Sequence, residues 1–342
     1  MTLEQIKQKI KEPEYNFLVE NEHLGDNIIL LGLGGSHAYG TNIETSDLDI
    51  RGIALNQKSD ILTNNNFEQF VNEETDTTIY GLNKMITLLS NLNPNTCELL
   101  GLKPEHYLVL SPIGQELLDN IDMFISKKCI QTFGGYATSQ LYRLKQKSSH
   151  SMQQADLEKH ILKTINNLHN DFNSKYSSIS DDQMHLYIDT AVQEGYDTEI
   201  FMDLKLSHYP VRDYCSLWNE LQAIVKSYSK IGIRNSKAIE HGKVSKHAMH
   251  LIRLNFMLLD ILRGNGIITY REKEHDLLMD IRNGKYTKDD NQMIEAFYDI
   301  LYEVEKEIDY AKNNTSIPDK PDYKRINEFL ANVNERVVRG EI

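Results

Sequence analysis

Two aspartates one residue apart, in Ser46-Asp47-Leu48-Asp49-Ile50-Arg51, are the residues of this chain whose type and spacing best suit chemistry. In a strand, side chains alternate between faces. Asp47, Asp49 and Arg51 therefore share one face, and Leu48 and Ile50 take the buried one. Two carboxylates that close repel each other unless a cation sits between them. Magnesium meets that need, because it takes oxygen ligands from one or two carboxylates plus substrate phosphates. Upstream of Asp47, with ten residues intervening, an apolar run ends in Gly34-Gly35-Ser36. Glycines at 34 and 35 let the backbone approach a phosphate, and Ser36 with the following turn offers a hydroxyl and N–H groups to anionic oxygens. A glycine turn alone is usually structural, and a lone Asp-x-Asp is usually a solvated strand face. In this order and spacing they point to a catalytic site that holds phosphate groups and divalent metal. Arg51 shares the acid face, where it either pairs with Asp49 or Asp47 or contacts the triphosphate. Tyr39 is placed either to stack on a base or to pack.

A second constellation lies in the stretch Lys243–Leu262, whose spacing predicts a helix stopped by Gly264. Lys243, Lys246, His250 and Arg253 recur at steps of three and four, forming one basic stripe. Met249, Ile252, Phe256 and Leu259 form the apolar stripe that would fix the helix to a core. Such a stripe can be a plain solvated face; in an acidic protein it suggests phosphate binding. Lys127, Lys128, Arg143, Lys145 and Lys147, interleaved with aromatics, could contact an RNA end, with Arg143 and Lys147 as the acceptor-binding candidates.

The elements that must position these groups sit in a chain of 342 residues with 40% hydrophobic and 25% charged residues, composition typical of a globular protein with a real core. A net charge of −13 argues against non-specific coating of duplex DNA. No apolar run reaches the roughly 20 residues that cross a bilayer, and the charged start lacks a secretion signal. Three scattered cysteines, Cys97, Cys129 and Cys215, indicate neither a disulfide framework nor a zinc site, so a cytoplasmic setting is expected. Strands are expected in "NIILLGLG", "LDIRGIAL", "FEQFV", "DTTIYGL" and "HYLVL", with helices near Thr2–Lys11, in "NKMITLLSNL" up to Asn93-Pro94, and in "SPIGQELLDN" behind Ser111. Beyond Met123 the pattern turns helical, apart from a strand pair in "MHLYID" and "TEIFMDLKL". Helices close the chain near 292–313 and 322–336, with "NNTSIPDKPDY" as a linker and a frayed "RVVRGEI". The expected division is a catalytic domain over 1–122 and a mainly helical domain over 123–342, an α+β chain with a mixed sheet at its start.

"GGSHAYGTNIETSDLDIRG" resembles the signature of the DNA polymerase β-like nucleotidyltransferase superfamily. "DTTIYGLNKMITLLSNLNPNTCELL" and "KHAMHLIRLNFMLLDIL" resemble later blocks of a narrower group, the predicted (RlaP-like) nucleotidyltransferases of bacterial RNA-ligase repair operons. The resemblance implies a two-metal transfer with magnesium or manganese, in which Asp47 and Asp49 ligate both ions and Gly35 and Ser36 hold the triphosphate. It also implies a third carboxylate from a later strand, for which Asp76 is the best match, beside Glu73 and Glu74. The expected reaction moves a nucleoside monophosphate from a triphosphate to a hydroxyl, at an RNA or tRNA 3′ end. Other superfamily members modify a protein or a small molecule, and a silent nucleotide-binding module is the third reading.

Overall fold

The structure, a computed structural model, describes residues 1–63, 65–137, 184–190, 192, 198–209, 211, 214–215, 218–219, 222, 243–288 and 293–342. It divides into two compact units: one of residues 1–141, 245–286 and 294–342, the other of 142–244 and 287–293. The expected boundary at 122 and 123 falls inside the first unit.

That unit is built on a five-stranded sheet: β1 (Ile28–Leu33), β2 (Ile50–Ala54), β3 (Gln69–Asn72), β4 (Thr77–Gly81) and β5 (Tyr107–Leu110), in the order β3-β4-β2-β1-β5. β2 and β4 run parallel; the other pairs are antiparallel. The unbroken apolar run of β1 is buried at every position, as a strand covered on both faces requires. The edge strands carry the partly exposed Val71, Val109 and Leu110. The second strand was expected to begin at Leu48 but begins at Ile50, because β1 ends at Leu33 and turns away into a short helix. The two acids lie on the extended lead-in.

Helices flank the sheet. α1 (Leu3–Lys9) starts at a capping box in which Thr2 and Gln5 satisfy each other's N–H groups. α2 (Gly35–Tyr39) is closed by Gly40, whose left-handed φ of 73° lies against the Tyr270 ring. α3 (Leu82–Leu89) ends at Ser90, short of Asn93-Pro94; that pair instead opens a new helical turn, with Asn93 as its cap and Pro94 in its first position. α4 (Pro112–Asp119) is capped by Ser111, as expected.

α5 (Lys243–Leu262) departs from the simple two-stripe reading. Besides Met249, Ile252 and Leu259 it buries Ala248, Leu251, Leu254, Met257, Leu258, Ile261 and Leu262, while Phe256 is half-buried. A helix apolar nearly all round is a core helix. α6 (His275–Arg282) carried no clear sequence signal. α7 (Glu295–Asn314) and α8 (Tyr323–Arg339) follow, and Ile326, Phe329 and Val333 of α8 share a core with β1 and α5. α8 continues into the stretch expected to fray, as far as Arg339, with Arg336 paired to Glu116; only the last three residues lie beyond it. The expected linker is pinned: Ile317 is buried, the Lys127 N–H donates to Pro318 O at 2.8 Å, and Asp322 N–H donates to Met123 O at 2.9 Å.

In the second unit, β6 (Met184–Thr190) and β7 (Thr198–Leu204) form the expected pair, and it is antiparallel. The helices expected within "QQADLEKHILKTINNLHNDF" and most of "RDYCSLWNELQAIVKSYSK" lie outside the described residues. Among the described residues no helix is long and apolar enough to cross a membrane. The chain is thus α+β: a mixed five-stranded sheet with flanking helices, and helices over the C-terminal region.

Candidate active site

Register alone brings the acids together. In the parallel pair of β2 and β4, Ile50 stands opposite Thr77, so the residues just before them, Asp49 and Asp76, emerge side by side at one end of the sheet. Asp76 adopts a left-handed φ of 43°, a conformation that aspartate tolerates better than most residues, and its carbonyl accepts from Ile50 N at 3.2 Å. At the same end β1 runs out into Gly34, whose N–H donates to Asp49 O at 2.8 Å. Gly35 has a φ of 52°, and the Asp49 carboxylate fills the space a Cβ there would need. Leu48 and Ile50 are buried, which leaves Asp47 and Asp49 facing the other way.

These groups line a cavity of about 540 Å³ within the first unit. Its acidic wall is Asp47, Asp49 and Asp76, with Glu98 also in the lining; Glu73 and Glu74 are exposed and do not line it. Burial, and then the hydrogen bond and charge of Asp76, push the Asp49 carboxyl up to about 7. The same hydrogen bond holds Asp76 below the usual carboxylate range. The pair therefore retains a proton where two bare carboxylates would repel. Arg51 stands over them: Nη2 lies 3.1 Å from Asp76 Oδ1 and 3.5 Å from Asp49 Oδ1, and Nη1 donates to Asp76 O at 2.6 Å and Ile50 O at 2.9 Å. Asp47 is exposed, with no ion-pair or hydrogen-bond partner among the described residues.

α5 supplies Lys246, His250 and Arg253 to the same cavity, together with Met249. Lys246 is exposed and His250 half-buried. Arg253 is 5% exposed; its guanidinium carbon sits 3.2 Å from the centre of the Tyr39 ring, and Nη2 lies 3.5 Å from His250 Nε2. Tyr39 is fully buried beneath it and donates its hydroxyl to Glu98. A ring covered in this way offers no face to a base; it supports Arg253. Burial raises the Glu98 carboxyl, and the Arg253 charge opposes that rise. Gly35 and Ser36 line the cavity beside Asp49.

Sequence reasoning missed two charged lining residues, Glu98 and Arg282, besides uncharged ones such as Thr41 and Ser46. Glu98 was detectable only as a lone acid among Cys97, Leu99 and Leu100. Arg282, in the last turn of α6, looks like a cation placed for the helix dipole. Instead it reaches Ser46, donating to Oγ at 3.1 Å. Lys243 is the first residue of α5, and Arg143, Lys145 and Lys147 lie outside the described residues. Lys127 and Lys128 hold the fold: Lys127 pairs with Asp319 at 2.8 Å, and Lys128 donates to Asn91 Oδ1 at 2.9 Å and Tyr323 OH at 2.7 Å.

Among the described residues no cluster of three or more His, Cys, Asp or Glu forms a ready-made metal cage. Two adjoining carboxylates sharing a proton, with a third acid unpaired beside them, are still the donor set for an ion that completes its shell with substrate phosphates and water. The chain gives no match among curated proteins or solved structures. The model of the RNA repair pathway DNA polymerase beta family (RlaP) matches residues 3–332. With nearly its whole length matched, this chain belongs to that family of polymerase β-like nucleotidyltransferases of RNA repair.

Proposed function

We propose that this cavity transfers a nucleoside monophosphate from a triphosphate to the 3′ hydroxyl of an RNA, with tRNA as a specific candidate. One observation carries the reading: at the end of β2 and β4 three carboxylates face Lys246 and Arg253, and neither cation is ion-paired to them. Opposite charges left apart in one cavity suit a ligand that carries both signs, a triphosphate with divalent metal.

In this reading Asp47, Asp49 and Asp76 hold two magnesium or manganese ions. When bound, the ions lower the pKa of the attacking hydroxyl and neutralise charge on the leaving pyrophosphate. Gly35 and Ser36 receive triphosphate oxygens, Lys246 and His250 line its path, and Arg253, held rigid on Tyr39, neutralises phosphate charge. Lys243 extends the same stripe in sequence at the start of α5, and Arg143 and Lys147 serve the acceptor. Arg51 keeps Asp49 and Asp76 in place. The acceptor oxygen forms the new bond to the α-phosphorus as the bond to pyrophosphate breaks, so catalysis rests on alignment and charge neutralisation.

The test is incubation with each labelled triphosphate, magnesium and total RNA, followed by separation of RNA-bound from protein-bound label. RNA-bound label that Asp47→Asn and Asp49→Asn both abolish supports the reading. The net charge of −13 favours a second acceptor class, a protein or small-molecule hydroxyl, and label found there would replace the RNA end. A silent module would have no use for the proton-sharing acids.

A further inference from the structure

The loop between Ser36 and Asp47 contains hydrogen-bond donors that lack acceptors. Thr41 is fully buried, its N–H closes the turn onto Ser36 O at 2.9 Å, and its hydroxyl has no partner among the described residues. The Ser46 hydroxyl accepts twice, from Ile43 N at 2.8 Å and from Arg282 Nη2 at 3.1 Å. With both acceptor positions used, its proton is left to donate. Arg282 has an unpartnered Nη1, and no carboxylate lies within ion-pairing distance of it among the described residues. Burial lowers its pKa, as expected of a guanidinium withdrawn from water without a counter-charge. All three side chains line the cavity that holds the acids.

Such an arrangement is costly unless an acceptor-only anion completes it. We propose that Thr41, Ser46 and Arg282 form a phosphate subsite that takes the terminal phosphate of the donor triphosphate. The assignment rests on the donor reading of this cavity and extends it. The loop runs from Ser36, assigned to the triphosphate, to Asp47, assigned to its metal, so a phosphate bound midway belongs to the same ligand. An acceptor-strand phosphate has the same chemistry, and the two sources are separable. Because Arg282 arrives from α6 and grips the residue next to Asp47, a filled subsite also fixes Asp47. The subsite thus makes the enzyme select triphosphates over diphosphates.

The experiment is calorimetric titration of the full chain in magnesium with the four ribonucleoside triphosphates, the matching diphosphates and an RNA oligonucleotide. It compares wild type with Arg282→Gln and Thr41→Val, with circular dichroism as the folding control. The expected result is a roughly tenfold or greater loss of triphosphate affinity in Arg282→Gln, with diphosphate and RNA affinities unchanged. Thr41→Val, which keeps volume and removes only the hydroxyl, should show a smaller loss of the same selectivity, and it decides the matter if Arg282→Gln does not fold. Equal losses for tri- and diphosphate, no loss for either, or a loss confined to RNA each overturn the subsite. Wild-type protein that binds none of the nucleotides would instead overturn the donor reading itself.

Discussion

Replacing Gly35 with alanine separates stability from activity. At a φ of 52° an L-residue pays about 1–2 kcal/mol for the left-handed conformation. The added Cβ would also lie 2.7 Å from Asp49 Cγ and closer still to its Oδ2. That oxygen is the free end of a side chain, so relief comes from swinging the Asp49 carboxylate away from Asp76, at little further cost to the fold. Gly35→Ala should therefore lose only about 1–2 kcal/mol in urea unfolding. Transfer should fall by at least the factor of 10² that misplacing a reacting group by about an ångström costs. The assay is single-turnover transfer at saturating magnesium beside a urea titration of the same preparation. Wild-type transfer rates in the variant would refute the claim that Asp49 must hold its place against Gly35. A loss of both fold and activity would refute the claim that the strain is relieved locally.

The raised Asp49 carboxyl gives metal-free protein an unusual pH dependence. Its folded value of about 7 exceeds the unfolded value of about 3.9, so its stabilising contribution is complete below the unfolded value and is lost as pH rises through about 7. Buried His37 and half-buried His106, held below the usual imidazole range, act in the opposite sense, so the Asp49 contribution is read by difference. In urea unfolding with chelator, stability relative to Asp49→Asn should fall between pH 5 and pH 8, and an unchanged difference would place the proton elsewhere. Tyr39→Phe removes the donor from the buried Glu98 and should cost about 1–3 kcal/mol in unfolding experiments, whereas full stability would show that Glu98 needs no hydroxyl partner. If the acceptor is an RNA strand, transfer at subsaturating acceptor should fall with salt at about −0.7 per neutralised phosphate on a log–log plot. Arg143→Ala with Lys147→Ala should flatten that slope, and transfer indifferent to salt would exclude an RNA strand.

Much of the site was legible because it is local. The alternation through Leu48 and Ile50 orients Asp47 and Asp49, and the glycines stand where the chain turns, with Gly35 in the left-handed region that favours glycine. Asp76 could be named but not separated from Glu73 and Glu74, since that choice depends on the register of β2 against β4 and no short-range pattern records it. Tyr39 was open between stacking and packing, and only the descent of Arg253 onto its ring decides where it goes. α6 and Arg282 were missed because an eight-residue helix ending in arginine resembles any capped surface helix. Lys127 and Lys128 read as substrate cations by type, yet their partners, Asp319 and Tyr323, lie nearly 200 residues away.

The discontinuity of the first unit bears on how this protein comes off the ribosome. Phe133 and Val333, 200 residues apart, belong to one core. At about 5–20 residues per second, roughly 10–40 s separate their synthesis. α5, α7 and most of α8 are added only in the course of that interval, and until each is made the apolar side chains it later covers lack those partners. A fragment ending at residue 122 would lack those helices permanently and keep that apolar surface uncovered.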